Sequence, residues 1–185
     1  MGLTRLALAL TVAQAALLVA PTWGKAPHRL HRNITDTFEL FAHFPYVVLV
    51  YSSGEDPEFQ CLTNKRTALD MDAKTATYVW MFKGHGGSQK KNVALNLSAG
   101  DSPDKVVFTL SDKPGQTWVA HFVYTDYKDC VIVDIPYDGQ NCQLWVSKRV
   151  VDNVPQHCLD QLHDICDVSV EEYSKELCQN DKDDL

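Results

Sequence analysis

The residues with the widest chemical capacity in this 185-residue chain are its six cysteines: Cys61, Cys130, Cys142, Cys158, Cys166 and Cys178. Thiols can hold a metal, act as nucleophiles or pair, and their spacing separates these roles. No C-x-x-C occurs, and the nearest Cys/His grouping, His157-Cys158 with His163 and Cys166, lacks zinc-site spacing. An even count behind an export signal predicts three disulfides and no free thiol. The histidines His28, His31, His43, His85, His121, His157 and His163 share no regular spacing with acids. No serine sits in a Gly-x-Ser-x-Gly turn. Catalysis needs a nucleophile, a base and an orienting group together, and no such set is visible, so neither an enzyme nor a metal or cofactor is expected. Asn33-Ile34-Thr35 and Asn96-Leu97-Ser98 are N-glycan acceptor triplets, so Asn33 and Asn96 are expected at the surface, near a terminus or turn.

Export is read from the first residues. Arg5 supplies a positive end, and Leu6 to Ala20 is Ala, Leu and Val interrupted only by Thr11 and Gln14. That run is too short to span a bilayer, and polar sequence follows. Cleavage after Gly24 is preferred to cleavage after Ala20, where Pro21 would flank the cut. Residues 1–24 are therefore expected to be a signal peptide, 25–180 one domain, and 181–185 a charged disordered tail. No later stretch supplies the roughly 18 apolar residues of a spanning helix. Arg5 is the leader's one charged residue, so the mature chain is one unit more acidic than the −7 of the whole. Such a surface is unsuited to nucleic acid, which requires a basic one. A soluble, secreted monomer is expected.

The elements that must position these residues follow from pattern. Phe38, Leu40, Phe41 and Phe44 share one broad side of a helix over Thr35–Phe44, capped by Thr35 or Asp36 and ended by Pro45. Eight β-rich runs follow, over Tyr46–Ser53, Phe59–Leu69, Thr75–Lys83, Asn92–Leu97, Lys105–Leu110, Thr117–Thr125, Cys130–Ile135 and Cys142–Lys148. Gly, Pro, Asp, Asn or Ser mark each break between them. Past Pro155, Cys158, Leu159, Leu162, Ile165 and Cys166 recur at helical spacing, and Val170 to Cys178 is expected as a second, more polar helix. Two strands are apolar on both faces: Tyr78, Trp80 and Phe82 oppose Val79 and Met81, while Trp118, Ala120, Phe122 and Tyr124 oppose Val119 and Val123. A barrel lined for a ligand and covered by helices explains this, and so does a two-layer sandwich.

The segments Asp56-Pro57-Glu58-Phe59-Gln60-Cys61, Thr75 to Phe82, Tyr124-Thr125-Asp126 with Asp129-Cys130, Cys142-Gln143-Leu144-Trp145-Val146 and Asn153-Val154-Pro155-Gln156-His157-Cys158-Leu159 occur in an order and spacing that resembles the salivary lipocalins of ticks, the histamine-binding-protein-like group. The run Thr75-Ala76-Thr77-Tyr78-Val79-Trp80 looks like the Japanin-type immunomodulatory branch, whose members bind sterol. The Gly-x-Trp of ordinary lipocalins is absent near the first strand, a departure this group commonly shows. The resemblance implies an all-β fold with helical flanks: an eight-stranded antiparallel lipocalin barrel, with a short N-terminal helix and a C-terminal helix packed outside. It also implies the bridges Cys61–Cys178 and Cys130–Cys158, leaving Cys142–Cys166 as the third.

The resemblance further implies a ligand in the barrel, and charge decides its class. Members that take histamine carry carboxylates inside, because an unpaired cation in an apolar cavity is costly. Alignment by the motifs above places Tyr78, Ala120 and Gln143 at those positions, and Asp56 sits in a turn. A neutral sterol, fatty acid or eicosanoid is therefore expected, with Tyr78, Trp80, Phe82, Trp118, Ala120, Phe122, Tyr124, Gln143 and Trp145 as its wall. Modulation of host immune or inflammatory responses from saliva would follow. The alternatives are a histamine or serotonin scavenger, and an effector that binds host immune cells or their receptors through its surface.

Overall fold

The computed structural model describes residues 30–54, 56–137, 139, 141–166 and 170–178. The expected signal peptide at 1–24 and charged tail at 181–185 lie outside the described residues.

The first helix, α1 (Thr37–His43), begins where Asp36 Oδ1 accepts the N–H groups of Phe38 at 3.0 Å and Glu39 at 3.1 Å. Of the two candidate caps, the side chain of Asp36 does the capping. Eight strands follow: β1 (Tyr46–Ser52), β2 (Thr63–Asp70), β3 (Thr75–Lys83), β4 (Lys90–Ala99), β5 (Lys105–Leu110), β6 (Trp118–Thr125), β7 (Cys130–Ile135) and β8 (Asn141–Ser147). Each pairs antiparallel with the next, and β1 bonds to both β8 and β2. The sheet therefore closes on itself, which selects the barrel over the sandwich. Closure leaves no unpaired edge among these eight.

Two strands begin more than one residue from where their composition suggests. Residues Phe59 to Leu62 precede β2: Asp56 accepts the Glu58 N–H at 2.9 Å and starts a 3₁₀ turn at Pro57–Phe59, and Cys61 then adopts a positive φ of 59°. Strand β4 extends two residues beyond the expected run at each end, because Lys90, Lys91, Ser98 and Ala99 all find partners on β3 or β5.

After β8 come α2 (Gln156–Ile165), a two-residue strand β9 (Val170–Glu171) and a single turn, α3 (Lys175–Cys178). The expected helix over Val170 to Cys178 is thus helical only over Lys175–Cys178 and starts as a strand. Val170 and Glu171 pair with Ser52 and Tyr51, Glu172 donates its N–H to Val50 O, and Cys61 donates to Glu172 O, both at 2.9 Å. Those backbone bonds to β1, with the Cys61–Cys178 bridge, hold the segment straight. The two implied bridges and the third left by exclusion are all formed, with Cα separations of 5.4 Å for Cys61–Cys178, 6.2 Å for Cys130–Cys158 and 5.8 Å for Cys142–Cys166.

Burial divides into two cores. One fills the barrel with Leu49, Trp80, Phe82, Phe108, Phe122, Val133 and Trp145, together with Phe38, Leu40, Phe41 and Phe44 of α1. The other lies outside the wall, where Val50, Ile132, Leu144 and Val146 meet Leu162 and Ile165 of α2. The strands that bury apolar side chains in both cores are thus β1, β7 and β8, and Val123 and Tyr124 of β6 pack against the outer one. On the outer face of β6, Val119 is 49% exposed.

The barrel interior as candidate functional site

Alternation along the strands sends Tyr78, Trp80 and Phe82 of β3 inward together, and all three are buried in the inner core. From β6, Ala120 and Phe122 face the same space, and Trp145 enters it from β8. Between them is a cavity of about 60 Å³, lined by Tyr78, Trp80, Ala120, Phe122 and Trp145 among the expected residues. Its wall is completed by Leu40, Phe41 and Phe44 of α1, by Val47, Asn64, Leu95, Leu97 and Phe108, and by Val131, Val133 and Ile135.

Four expected wall residues sit elsewhere. Phe82 is inside, with the Lys91 ammonium 4.9 Å from its ring centre, but does not line the cavity. Trp118 is half-buried and stacks on Phe108 at 5.6 Å. Gln143 lies fully buried on the inner face and accepts the Trp145 indole N–H at 3.0 Å. Tyr124 faces outward, a correction to its expected place. A β-bulge sets Phe122 opposite Val133 and Tyr124 opposite Ile132, so the extra residue, Val123, turns Tyr124 to the α2 side.

The residues absent from the expected wall had a readable signal. Val93, Leu95 and Leu97, then Val106, Phe108 and Leu110, then Val131, Val133 and Ile135 alternate as cleanly as the aromatic runs do. Asn64 had none, since a single Asn in the polar-looking strand Thr63–Asp70 gives no hint of facing inward.

Helix α1 stops one end of the barrel. The Phe41 ring centre is 5.4 Å from those of both Tyr78 and Phe122. The helix is tied down at both of its ends. Tyr78 donates its hydroxyl to Phe44 O at 2.8 Å, and Arg66 donates to Phe41 O, a cation placed at the helix C-terminus. At the other end Thr37 donates its N–H to Pro103 O at 3.0 Å, and Asp36 donates its N–H to Tyr127 Oη at 2.8 Å. Burial pushes the Tyr78 phenol well above its ordinary value, with Arg66 opposing weakly. It is a neutral hydroxyl at any physiological pH. At the far end Tyr137 lies 5.4 Å from Trp80 and 6.0 Å from Phe59, with the Lys113 ammonium 4.1 Å from its ring centre.

Among the described residues, none that is ionised at neutral pH lines the cavity. Two buried amides are incompletely satisfied: Asn64 Oδ1, on the cavity wall, and Gln143 Nε2 have no partner. Buried polar groups in native proteins are nearly always paired, so such atoms call for an explanation.

Outside the barrel, two His–Asp pairs invite a catalytic reading. Asp104 Oδ2 lies 3.0 Å from His121 Nε2, while Asp104 Oδ1 accepts the Ser102 hydroxyl at 2.6 Å. The carboxylate stands between serine and histidine, so the histidine does not reach the hydroxyl as a base would. Asp126 Oδ2 lies 2.8 Å from His157 Nε2, beside Cys130 and Cys158. Those two sulfurs are joined to each other, which removes them as metal ligands.

Comparison with known proteins agrees with this geometry. The model of the tick histamine-binding protein family matches residues 32–180. A solved serotonin complex of the protein AM182 superposes with a TM-score of 0.59 at 14% identity, covering 77% of this chain and 92% of its own. Japanin from Rhipicephalus appendiculatus, bound to cholesterol, gives 0.53 at 16% identity, covering 71% and 94%. Lobster apocrustacyanin A1 gives 0.54 at 10%, covering 76% and 82%. At these identities the likeness is one of fold. No curated protein sequence matches the chain. No helix among the described residues is long and apolar enough to cross a membrane. With the family model spanning almost the whole barrel, α1 and α2 included, the chain belongs to the tick histamine-binding protein family, whose fold is the lipocalin barrel.

Proposed function

We propose that the barrel binds a neutral apolar molecule carrying one polar group, and that the chain is a secreted carrier rather than an enzyme, acting on host immune or inflammatory responses by withholding that molecule. The observation that carries this reading is a cavity wall of apolar and aromatic side chains with no ionised group. An ammonium placed there would lose its hydration without gaining a counter-charge. Asn64 supplies an unmatched acceptor on the cavity wall, as a ligand hydroxyl would need, and Gln143 has an unmatched donor on the inner face but off that wall. The cavity of about 60 Å³ is far below the ~300 Å³ at which drug-sized pockets begin. A sterol or fatty acid enters, on this reading, only as Phe41 and α1 retreat from the barrel end. Titration of delipidated protein with cholesterol, a fatty acid, histamine and serotonin, followed by quenching of Trp80 and Trp145, tests it. Saturable binding of a neutral lipid is expected, and tight amine binding without any lipid binding would overturn it.

One observation favours the amine alternative. Glu172 is buried and accepts the Ser52 hydroxyl at 2.7 Å, and Ser52 pairs in register with Gln143. Burial pushes the Glu172 carboxyl above its ordinary value; the Ser52 bond opposes this and Asp56 adds to it. A cationic amine beside Glu172 would stabilise its ionised form. If amines bind there, Glu172→Gln removes that binding and leaves neutral ligands unaffected.

A further inference from the structure

The outer face of β3, β4 and β5 carries no charge across three consecutive cross-strand rows. Thr77, Asn96 and Thr109 form the middle row, Thr75, Ser98 and Val107 the row on one side, and Val79 with Ala94 the row on the other. Thr75, Asn96 and Ser98 are exposed, and the remaining five are half-exposed. A shallow depression runs over Thr75, Thr77, Asn96, Ser98, Val107 and Thr109. On β1, β7 and β8 the outer face is apolar because α2 covers it. On β3, β4 and β5 a protein of 22% charged residues has placed none at eight adjoining outward positions. Such a face carries no charged side chain to repel a second copy, and a bulky polar cover would keep copies apart.

At the centre of the middle row stands Asn96, and Asn96-Leu97-Ser98 is an acceptor triplet. Leu97 points into the barrel core, while Asn96 and Ser98 both point outward. Thr77 donates its hydroxyl to Asn96 Oδ1 at 3.3 Å. We infer that Asn96 carries an N-linked glycan that lies over this face and keeps the protein monomeric. The attachment rests on the reading of the chain as exported. In it, Asn96 Nδ2 attacks the anomeric carbon of a lipid-linked oligosaccharide; the new C–N bond replaces the C–O bond to the polyprenyl diphosphate, which leaves, and Nδ2 loses one proton. Threonine hydroxyls flanking the anchor can hydrogen-bond the first sugars, and the small side chains let the glycan lie flat.

The test uses full-length protein secreted from insect or mammalian cells, with glycopeptide mass spectrometry and sedimentation velocity. Ser98→Ala abolishes the acceptor without altering Asn96 or any strand pairing, Asn96→Gln does so independently, and Asn33→Gln is the control. Glycan at Asn96 is expected, with wild type and Asn33→Gln both sedimenting as monomers. Ser98→Ala and Asn96→Gln are expected to shift towards dimer as concentration rises. Unmodified Asn96 overturns the inference, and in a dimeric wild type it would identify a second copy as the cover. Monomeric behaviour of Ser98→Ala at all concentrations would overturn the shielding role.

Discussion

Phe122 and Tyr124, two residues apart on one strand, lie on opposite faces of the barrel wall. Phe122 lines the cavity 5.4 Å from Phe41, whereas Tyr124 packs outside with the α2 core. The bulge at Val123 separates the cavity wall from the outer core along a stretch of three residues. Phe122→Asp should therefore abolish binding of neutral lipid, read by calorimetry. Tyr124→Ala should leave affinity unchanged and lower unfolding stability by about 1–2 kcal/mol, the share of a half-buried aromatic. Equal loss of binding in both variants would place the bulge elsewhere.

Helix α1 should act as the gate. Asp36→Ala removes the cap at a cost of about 1 kcal/mol. Tyr78→Phe removes the hydroxyl that holds Phe44 O. Both changes weaken seating of α1 without altering the apolar wall, so ligand association in stopped-flow fluorescence should speed several-fold. Unchanged association rates would mean entry at the Tyr137 end.

Asp126 should make stability fall in acid. Partial burial works against its ionisation, but N–H groups of Cys130, Lys128 and Asp129 with the His157 side chain outweigh it and hold the carboxyl below its ordinary 3.8. A carboxyl lowered in the folded state stabilises fully above its unfolded value, and that stabilisation is lost as pH falls through the folded value. Melting temperatures of wild type and Asp126→Asn should therefore differ most near neutral pH, with the gap starting to narrow near about pH 4 and closing as pH falls through the lower folded value. A gap that stays constant down to pH 3 would contradict this.

The Cys61–Cys178 bridge should contribute most among the three. Its separation of 117 residues exceeds 28 for Cys130–Cys158 and 24 for Cys142–Cys166. Chain entropy gives about 5 kcal/mol for a loop that long, against about 3–4 kcal/mol for the shorter two. Paired Cys→Ser variants compared by urea unfolding check the ranking, and thiol titration of denatured, unreduced wild type should find no free thiol.

Much of this architecture was legible in the chain itself. Turn residues between β-rich runs located all eight strands, and the helical spacing of Cys158, Leu162 and Ile165 located α2. The resemblance to tick lipocalins supplied Cys61–Cys178 and Cys130–Cys158, and exclusion supplied Cys142–Cys166, where spacing alone left the pairing open. Three things were hidden for physical reasons. A bulge has no sequence signature, so Tyr124 was assigned by strict alternation and faces the wrong way. Val170 and Glu171 become a strand because β1 offers them backbone partners, a tertiary effect that local pattern does not carry. Asn64 enters the site from a strand that mixes polar residues with only Ala68 and Leu69, so nothing local set it apart from a surface residue.

The most direct test of the account is what the secreted protein already holds. Native mass spectrometry and organic extraction of protein purified without detergent should give one neutral lipid per chain. Ala120→Leu, which fills the cavity from a position that touches no α1 residue's backbone anchor, should be secreted, disulfide-bonded and empty. Wild type that is consistently empty and fails to take up lipid, or an Ala120→Leu variant that still carries its full complement, would contradict it.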